Sequence, residues 1–147
     1  MRKLFLILCG ACCYMQAHAF PCFITMVKDS CWTQYNVQVS INSATGKVVA
    51  TSSIPEGKSW DRQEFSCQPE ETLSLNASFT PVFWQADTGK IYASRHNWSL
   101  PQEIKKGVTA WNITVCYPRD FAEVPLPPGA GTNCKCVTDT IPPVKPQ

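Results

Sequence analysis

The sequence is poor in histidine, the side chain that most nucleophilic and acid–base sites need. It contains two histidines, His18 and His96, and the first lies in an N-terminal segment that has the pattern of an export signal. His96 stands in the polar stretch Ser94-Arg95-His96-Asn97, which matches no known motif. A Ser-His-Asp or Cys-His site requires a histidine as its base. We therefore predict that His96 is a surface residue and that the chain is not an enzyme.

Charged residues are also scarce, at 16% of the chain, and their spacing matches no catalytic motif. There is no glycine-rich phosphate loop, EF-hand pattern or zinc-protease helix, so we predict no cofactor and no metal site. A pair of carboxylates facing each other across a cleft is the one enzyme site that the sequence leaves open. The candidates for such a pair are Asp61, Glu64, Asp87 and Glu123, and a solvated surface position is the simpler interpretation of each.

No membrane-length apolar run is present, and residues 1–19 have the three parts of a cleavable export signal. Arg2 and Lys3 precede the mostly apolar stretch Leu4 to Tyr14, which is followed by the small residues of Ala17-His18-Ala19. The apolar stretch is shorter than the roughly 20 residues that cross a bilayer. We therefore predict a signal peptide cut after Ala19, no transmembrane segment, and a periplasmic or secreted location.

A lipid anchor at Cys12 is the competing interpretation of the same segment. Cys9-Gly10-Ala11-Cys12 has the small residues that precede a lipidated bacterial cysteine, but Cys9 stands where an aliphatic residue is required. The Ala-x-Ala site just downstream favours ordinary cleavage instead.

Cleavage after Ala19 removes Arg2 and Lys3 and leaves eleven basic residues against eleven acidic ones. A chain with no net charge lacks the excess of positive charge that binds nucleic acid, and the sequence has no basic patch for anionic lipids. Among macromolecular partners, the sequence therefore favours a protein, with a glycan as the alternative.

Cysteine usage agrees with export. Of nine cysteines, three lie in the signal segment and six remain. An even number in an exported chain predicts three disulfides. Since a Cys134–Cys136 bridge would close a very small ring, we expect these two to have different partners, and we suggest Cys67 with Cys116 as one pair.

A zinc or copper site at Cys134-Lys135-Cys136 is disfavoured because no histidine cluster accompanies it. The six disulfide candidates are Cys22, Cys31, Cys67, Cys116, Cys134 and Cys136.

The hydrophobic pattern is that of short β-strands. Apolar and polar residues alternate in the segments Tyr35–Asn42, Leu73–Phe79 and Thr109–Tyr117, which is typical of half-buried strands. Further strands are predicted at Lys47–Ile54 and Ser59–Cys67, and a hairpin at Val82–Trp84 and Ile91–Ala93 around Asp87-Thr88-Gly89-Lys90. About seven such strands predict an all-β fold, a small antiparallel β-sandwich that is Ig-like or barrel-like and is stapled by disulfides.

The composition changes after Tyr117. Prolines crowd the last thirty residues, and proline cannot donate a hydrogen bond to a sheet. We therefore divide the chain into a signal peptide (1–19), a β-sandwich domain (20–117) and an extended, Pro-rich C-terminal tail (118–147) that disulfides hold to the body.

Five tryptophans are the remaining candidates for a binding surface. Trp111 shares a strand face with Ile113 and Val115, which predicts a core position. Trp60 and Trp98 lie near loops, and Trp84 follows Phe83, so that one of these two neighbours points outward. We take Trp60, Trp84 and Trp98 as the candidate binding residues, although tryptophan is more often core filler in a small sandwich.

Three sequence triplets match the N-glycosylation acceptor pattern, beginning at Asn76, Asn97 and Asn112. They would matter only in a eukaryotic secretory route, and the short signal has a bacterial appearance. We therefore interpret the matches as coincidence.

Four short segments between Phe20 and Pro128 resemble small uncharacterised periplasmic proteins of intracellular gammaproteobacteria: Phe20-Pro21-Cys22, Asp29-Ser30-Cys31-Trp32, Ala110–Pro118 and Val124-Pro125-Leu126-Pro127-Pro128. The resemblance implies the bacterial envelope, and some such proteins could be accessory parts of envelope-spanning secretion systems, but it implies no activity. Our leading hypothesis is an exported interaction protein that binds a protein partner. The alternatives are a glycan or cell-wall binding module and an inhibitor of an exported lysozyme or protease.

Overall fold

A computed structural model describes residues 18–145. The predicted signal peptide and the alternative lipid site at Cys12 lie almost wholly outside the described residues, so both stay predictions. No helix within the described range is long and apolar enough to cross a membrane.

The protein is an all-β sandwich of two packed sheets. A three-stranded sheet has the order β4-β1-β8, and a larger sheet has the order β3-β2-β5-β6, with β7 also pairing with β5. Two three-residue 3-10 turns, Ser30–Trp32 and Gln85–Asp87, lie between strands. The strands are β1 (Phe20–Lys28), β2 (Asn36–Asn42), β3 (Val48–Ile54), β4 (Trp60–Cys67), β5 (Thr72–Thr80), β6 (Tyr92–Ala93), β7 (Trp98–Ser99) and β8 (Trp111–Tyr117).

The first strand, β1, is the centre of the three-stranded sheet and is buried on both faces. Ile24 and Met26 point into the sandwich, while Thr25 and Val27 on the opposite face are only 3% and 0% exposed. A strand covered on both sides is an apolar run without alternation, which is why the period-two pattern did not reveal it. The strand pairs antiparallel with β4 and parallel with β8. The antiparallel prediction therefore holds for every pair of strands described except β1 and β8.

The predicted hairpin around Asp87 to Lys90 is wrong. Val82–Trp84 forms no strand, and β6 pairs with β5 instead. Local hydrogen bonds explain the difference: the Asp87 amide donates to the Trp84 carbonyl oxygen (2.9 Å), and the Thr88 hydroxyl donates to that of Gln85 (2.7 Å). Such local bonds satisfy the backbone in a tight turn and compete with pairing in a sheet.

The core is organised around Trp32, which is fully buried. Its ring makes edge-on contacts with Phe79 and Tyr117, at centroid distances of 4.8 and 4.9 Å. The 3-10 turn that carries Trp32 is capped by the Asp29 carboxylate, which accepts a hydrogen bond from the Cys31 amide. Phe121, beyond the last strand, is also fully buried in this core, against Tyr117.

The six predicted cysteines form three disulfides, Cys22–Cys67, Cys31–Cys134 and Cys116–Cys136. The prediction that Cys134 and Cys136 have different partners is confirmed. The suggested Cys67–Cys116 pair is wrong. Cys67 lies beside Phe20 at one end of β1, whereas Cys116 lies beside Val27 near the other end, because β8 runs parallel to β1.

The C-terminal segment crosses the outer face of the three-stranded sheet, and we call residues 136–144 the strap. At one end the strap is bonded covalently to β8 through Cys116–Cys136. At the other, the guanidinium of Arg62 on β4 donates to the Pro142 carbonyl oxygen (2.7 Å). The strap therefore covers the side of β1 that faces away from the sandwich.

Candidate functional site

Most strand edges of the sandwich are covered. The edge of β3 lies against β4, where the Ser52 hydroxyl donates to the Asp61 carboxylate (2.7 Å). The edge of β6 is covered by the segment after β8, since the Ala122 amide donates to the Ala93 carbonyl oxygen (2.8 Å). Covering of this kind prevents a sheet from pairing with foreign strands.

Strand β8 has an edge that no other strand covers within the described residues, and its hydrogen bonds show which way its backbone points. The Asp29 amide, which follows β1, donates to the Tyr117 carbonyl oxygen, so Tyr117 faces β1. Cys116 faces the other way: its amide donates to the Asp120 carboxylate (2.6 Å), and its carbonyl oxygen accepts from the Asp120 amide (2.9 Å). Asp120 therefore closes the C-terminal end of this edge.

The remainder of the β8 edge is open. Backbone groups alternate in direction along a strand, so those of Asn112 and Thr114 point outward as those of Cys116 do. No hydrogen bond from any residue in the 18–145 range reaches these outward groups. Both residues are exposed. The β8 edge, residues 111–115, thus presents unpaired amides and carbonyls to solvent.

The β8 edge also lacks the features that usually block foreign strands. Natural edges carry lysine, proline or inward-pointing charges. The sequence Trp111-Asn112-Ile113-Thr114-Val115 has no charged residue and no proline. A free strand without these protections is a template for another strand.

Half-buried apolar side chains flank the β8 edge on the inner side of the sheet. Trp111 and Ile113 point inward and pack against the margin of the core. Because β3 lies against β4 on the opposite side, β8 and the short strand β7 share the remaining side of the sandwich. On β7, Trp98 pairs with the inward-facing Leu73 and is also half-buried. This side of the molecule therefore combines open backbone groups with apolar surface.

A polar cluster stands at the closed end of the β8 edge. The Arg119 guanidinium donates to Asp120 (Nε–Oδ1 3.0 Å). Burial by itself would raise the pKa of Asp120, but the hydrogen bonds from Arg119 and from the Cys116 amide, with the charges of Arg119 and His96, hold this pKa below its usual value. The ionised carboxylate is thus the form that closes the edge.

Asp120→Asn gives a prediction about pH. The pKa of Asp120 is lower in the folded protein than its usual value of 3.8 in the unfolded chain. The carboxylate therefore stabilises the fold fully at pH values above 3.8, and this stabilisation is lost as the pH falls through the folded-state pKa. We expect the variant to be less stable than the parent at neutral pH by about 1 kcal/mol, since the carboxylate is partly solvated. In urea denaturation the difference should shrink as the pH falls below 3.8 and the carboxylate becomes protonated in the folded protein. A difference that stays constant with pH would contradict this role for the charge.

The structure places the three predicted binding tryptophans on different parts of the molecule. Trp98 is on β7, with the ring of His96 4.3 Å from its own, and His96 in turn acts on Asp120, which closes the β8 edge. Trp60 is on the outer face of the three-stranded sheet, where the Arg62 guanidinium lies 5.5 Å from its ring. Trp84, 59% exposed, follows β5 at the end of the larger sheet. They do not form one platform.

Two of the four candidate carboxylates have identified structural partners. Asp61 accepts hydrogen bonds from Ser52 and Gln63, and Asp87 forms an ion pair with Lys90 (3.9 Å). Glu123 is in a left-handed turn with φ 58°, and Glu64 is exposed on β4. Asp61 and Asp87 therefore belong to separate groups of interacting side chains.

One cluster has the spacing of metal ligands: Asp29, Cys31 and Cys134. Its two sulfur atoms are joined in a disulfide. Thiolate is the form of cysteine that binds metal, so this cluster is a structural cross-link beside a capping carboxylate.

Sequence reasoning found β8 as a strand but missed that it forms an open edge. The position of a strand within a sheet depends on which strands flank it. Among the described strands β8 is flanked by β1 alone, and the apolar run of β1 gives no alternating signal. Comparison with known proteins gave no match: no family model, curated protein or solved structure was found to be similar to this chain.

Proposed function

We propose that this chain is an exported, non-enzymatic interaction protein of the bacterial envelope, which binds an extended segment of a protein partner along the β8 edge. The observation that carries the proposal is the pair of outward-facing backbone positions, Asn112 and Thr114, at an uncharged edge closed at one end by Asp120. Strand addition of this kind gives affinity through backbone hydrogen bonds and specificity through alternate side chains.

The surroundings of the edge define what the partner segment must look like. Its inward-facing side chains would pack on Trp111 and Ile113, so they should be apolar. Its outward-facing side chains would lie beside Asn112 and Thr114, which are polar and exposed. An uncharged segment that alternates apolar and polar residues meets both requirements.

The compartment assigned to the function is supported by the disulfides. Three of them, with no membrane-spanning helix in the described part of the chain, are compatible with an oxidising compartment. The periplasm is the oxidising compartment that the signal-like N-terminus and the resemblance to periplasmic proteins favour. A place beside an envelope-spanning secretion system remains part of the proposal.

Site-specific photocrosslinking in the native envelope tests the proposal. A photoreactive residue at Asn112 should crosslink to one predominant protein, whereas the same residue at Thr51, exposed on the larger sheet, should not. The crosslinked peptide of the partner should be an uncharged alternating segment. Equal crosslinking from both positions, or none from Asn112, would contradict binding at the β8 edge.

A further inference from the structure

A cleft of about 340 Å³ lies between the strap and the outer face of the three-stranded sheet. It shares Asn112 and Thr114 with the β8 edge through their side chains, but it opens over the face of the sheet rather than along its side. Its floor and its roof come from different parts of the chain. The floor is Thr25, Arg62, Asn112 and Thr114, and the roof is Thr138, Ile141, Pro142, Pro143 and Val144.

The sheet register explains how the floor is assembled. Thr25 on β1 is paired with Arg62 on β4 and with Thr114 on β8, so the three side chains form one row across the outer face. Arg62 is fixed within this row: its Nε donates to the Thr25 hydroxyl (2.8 Å), and its Nη2 donates to the Pro142 carbonyl oxygen (2.7 Å). The guanidinium is thus held in place before any ligand arrives.

The floor is rich in hydrogen-bond donors and carries one positive charge. A guanidinium has more N–H groups than the two that Thr25 and Pro142 engage, and the Thr25 hydroxyl, which accepts from Arg62, still has its own proton to donate. Thr114 and Thr138 add hydroxyls, and Asn112 adds an amide. No carboxylate is among the lining residues. These groups complement an anion with planar oxygens, since guanidinium–carboxylate hydrogen bonds are charge-assisted.

The roof is apolar apart from Thr138, so it is suited to contact an apolar part of a ligand rather than its charged group. Ile141, Pro142, Pro143 and Val144 present hydrocarbon to the cleft. The volume is at the lower end of the range of small-molecule sites. We propose that the cleft binds a small carboxylate that carries a short apolar group, with the carboxylate on Arg62 and the apolar group under the strap. This goes beyond the proposed protein-binding function and does not depend on it.

Titration of the full mature chain with simple probes tests the proposal. Butyrate is the carboxylate probe, and butyramide is its neutral counterpart of nearly the same shape. Amide NMR shifts should move on β1, β4 and β8 around the Thr25 row and along the strap. We expect butyrate to bind at least about tenfold more tightly than butyramide, because charge-assisted hydrogen bonds are roughly twice as strong as neutral ones.

Three variants and one control separate binding from the structural role of Arg62. Arg62→Gln should remove the preference for butyrate, and Arg62→Lys should keep part of it because the charge remains. Since Arg62 also holds the strap, Thr138→Val provides a second variant that leaves the Arg62 contacts intact and should weaken butyrate binding several-fold. Thr140→Val, on the same strap but outside the cleft lining, is its matched control. Equal affinity for the two probes, shifts away from the cleft, or an equal effect of Thr138→Val and Thr140→Val would overturn the proposal.

Discussion

Thr114→Pro is expected to abolish partner binding while the sandwich stays folded. The Thr114 amide points away from β1, so its loss removes no hydrogen bond between β1 and β8. Proline removes this amide from the open edge, and its ring obstructs an approaching strand. Loss of a backbone hydrogen bond together with a steric block should weaken binding by about a hundredfold or more. Binding to the crosslinked partner can be measured with the purified mature chain.

Two further proline variants test whether the effect depends on the direction in which the backbone amide points. Ile113 faces β1, so Ile113→Pro should break the ladder between β8 and β1 and destabilise the fold by about 3 kcal/mol or more. Thr109→Pro, in the exposed loop before β8, should affect neither binding nor folding. If Thr114→Pro unfolds the chain as Ile113→Pro does, the assigned direction of the strand is wrong.

Removal of the Cys31–Cys134 disulfide by a double alanine substitution is expected to cost about 4–5 kcal/mol of stability. The bond joins residues 103 apart in sequence, and closing a long loop restricts the unfolded chain most. Both cysteines are only half-buried, so the substitution adds little cavity cost. Because a typical domain has a total stability of about 5–15 kcal/mol, the variant should be barely folded at 37 °C.

Urea denaturation of the oxidised proteins measures this effect. Lys135→Ala, at an exposed position between Cys134 and Cys136, is the control and should change stability by less than about 0.5 kcal/mol. A loss below about 1 kcal/mol in the double variant would show that the C-terminal segment is held to the body without the bond.

The strands that the alternating pattern predicts have one face buried in the core and one face exposed to solvent. In β2, β5 and β8 the buried and solvated side chains alternate, and the periodicity exposes them directly. In β1 the strap covers the second face at Thr25 and Val27, so these residues are buried as well and the alternation is absent. The covering chain lies more than a hundred residues away in sequence, and no local pattern reports it.

The candidate site shows the same limit at the level of single residues. The position of Trp98 near a loop makes it a candidate, and the structure places it on β7, half-buried against the core and in contact with His96. The sequence pattern places Asn112 and Thr114 on the polar side of a strand and does not reveal their role at the edge, because that role comes from their backbone groups rather than from their side chains. Whether those groups are paired is decided by strand order, and the order requires the parallel pairing of β8 with β1.

Amide hydrogen exchange in the purified mature chain tests the central claim most directly. If the edge is open, the amides of Asn112 and Thr114 exchange rapidly, while those of Ile113 and Val115, bonded to β1, and of Cys116, bonded to Asp120, are protected. Binding of the partner should then slow Asn112 and Thr114 selectively. Uniform protection along β8 in the free protein would contradict an open edge, and with it the proposed mode of binding.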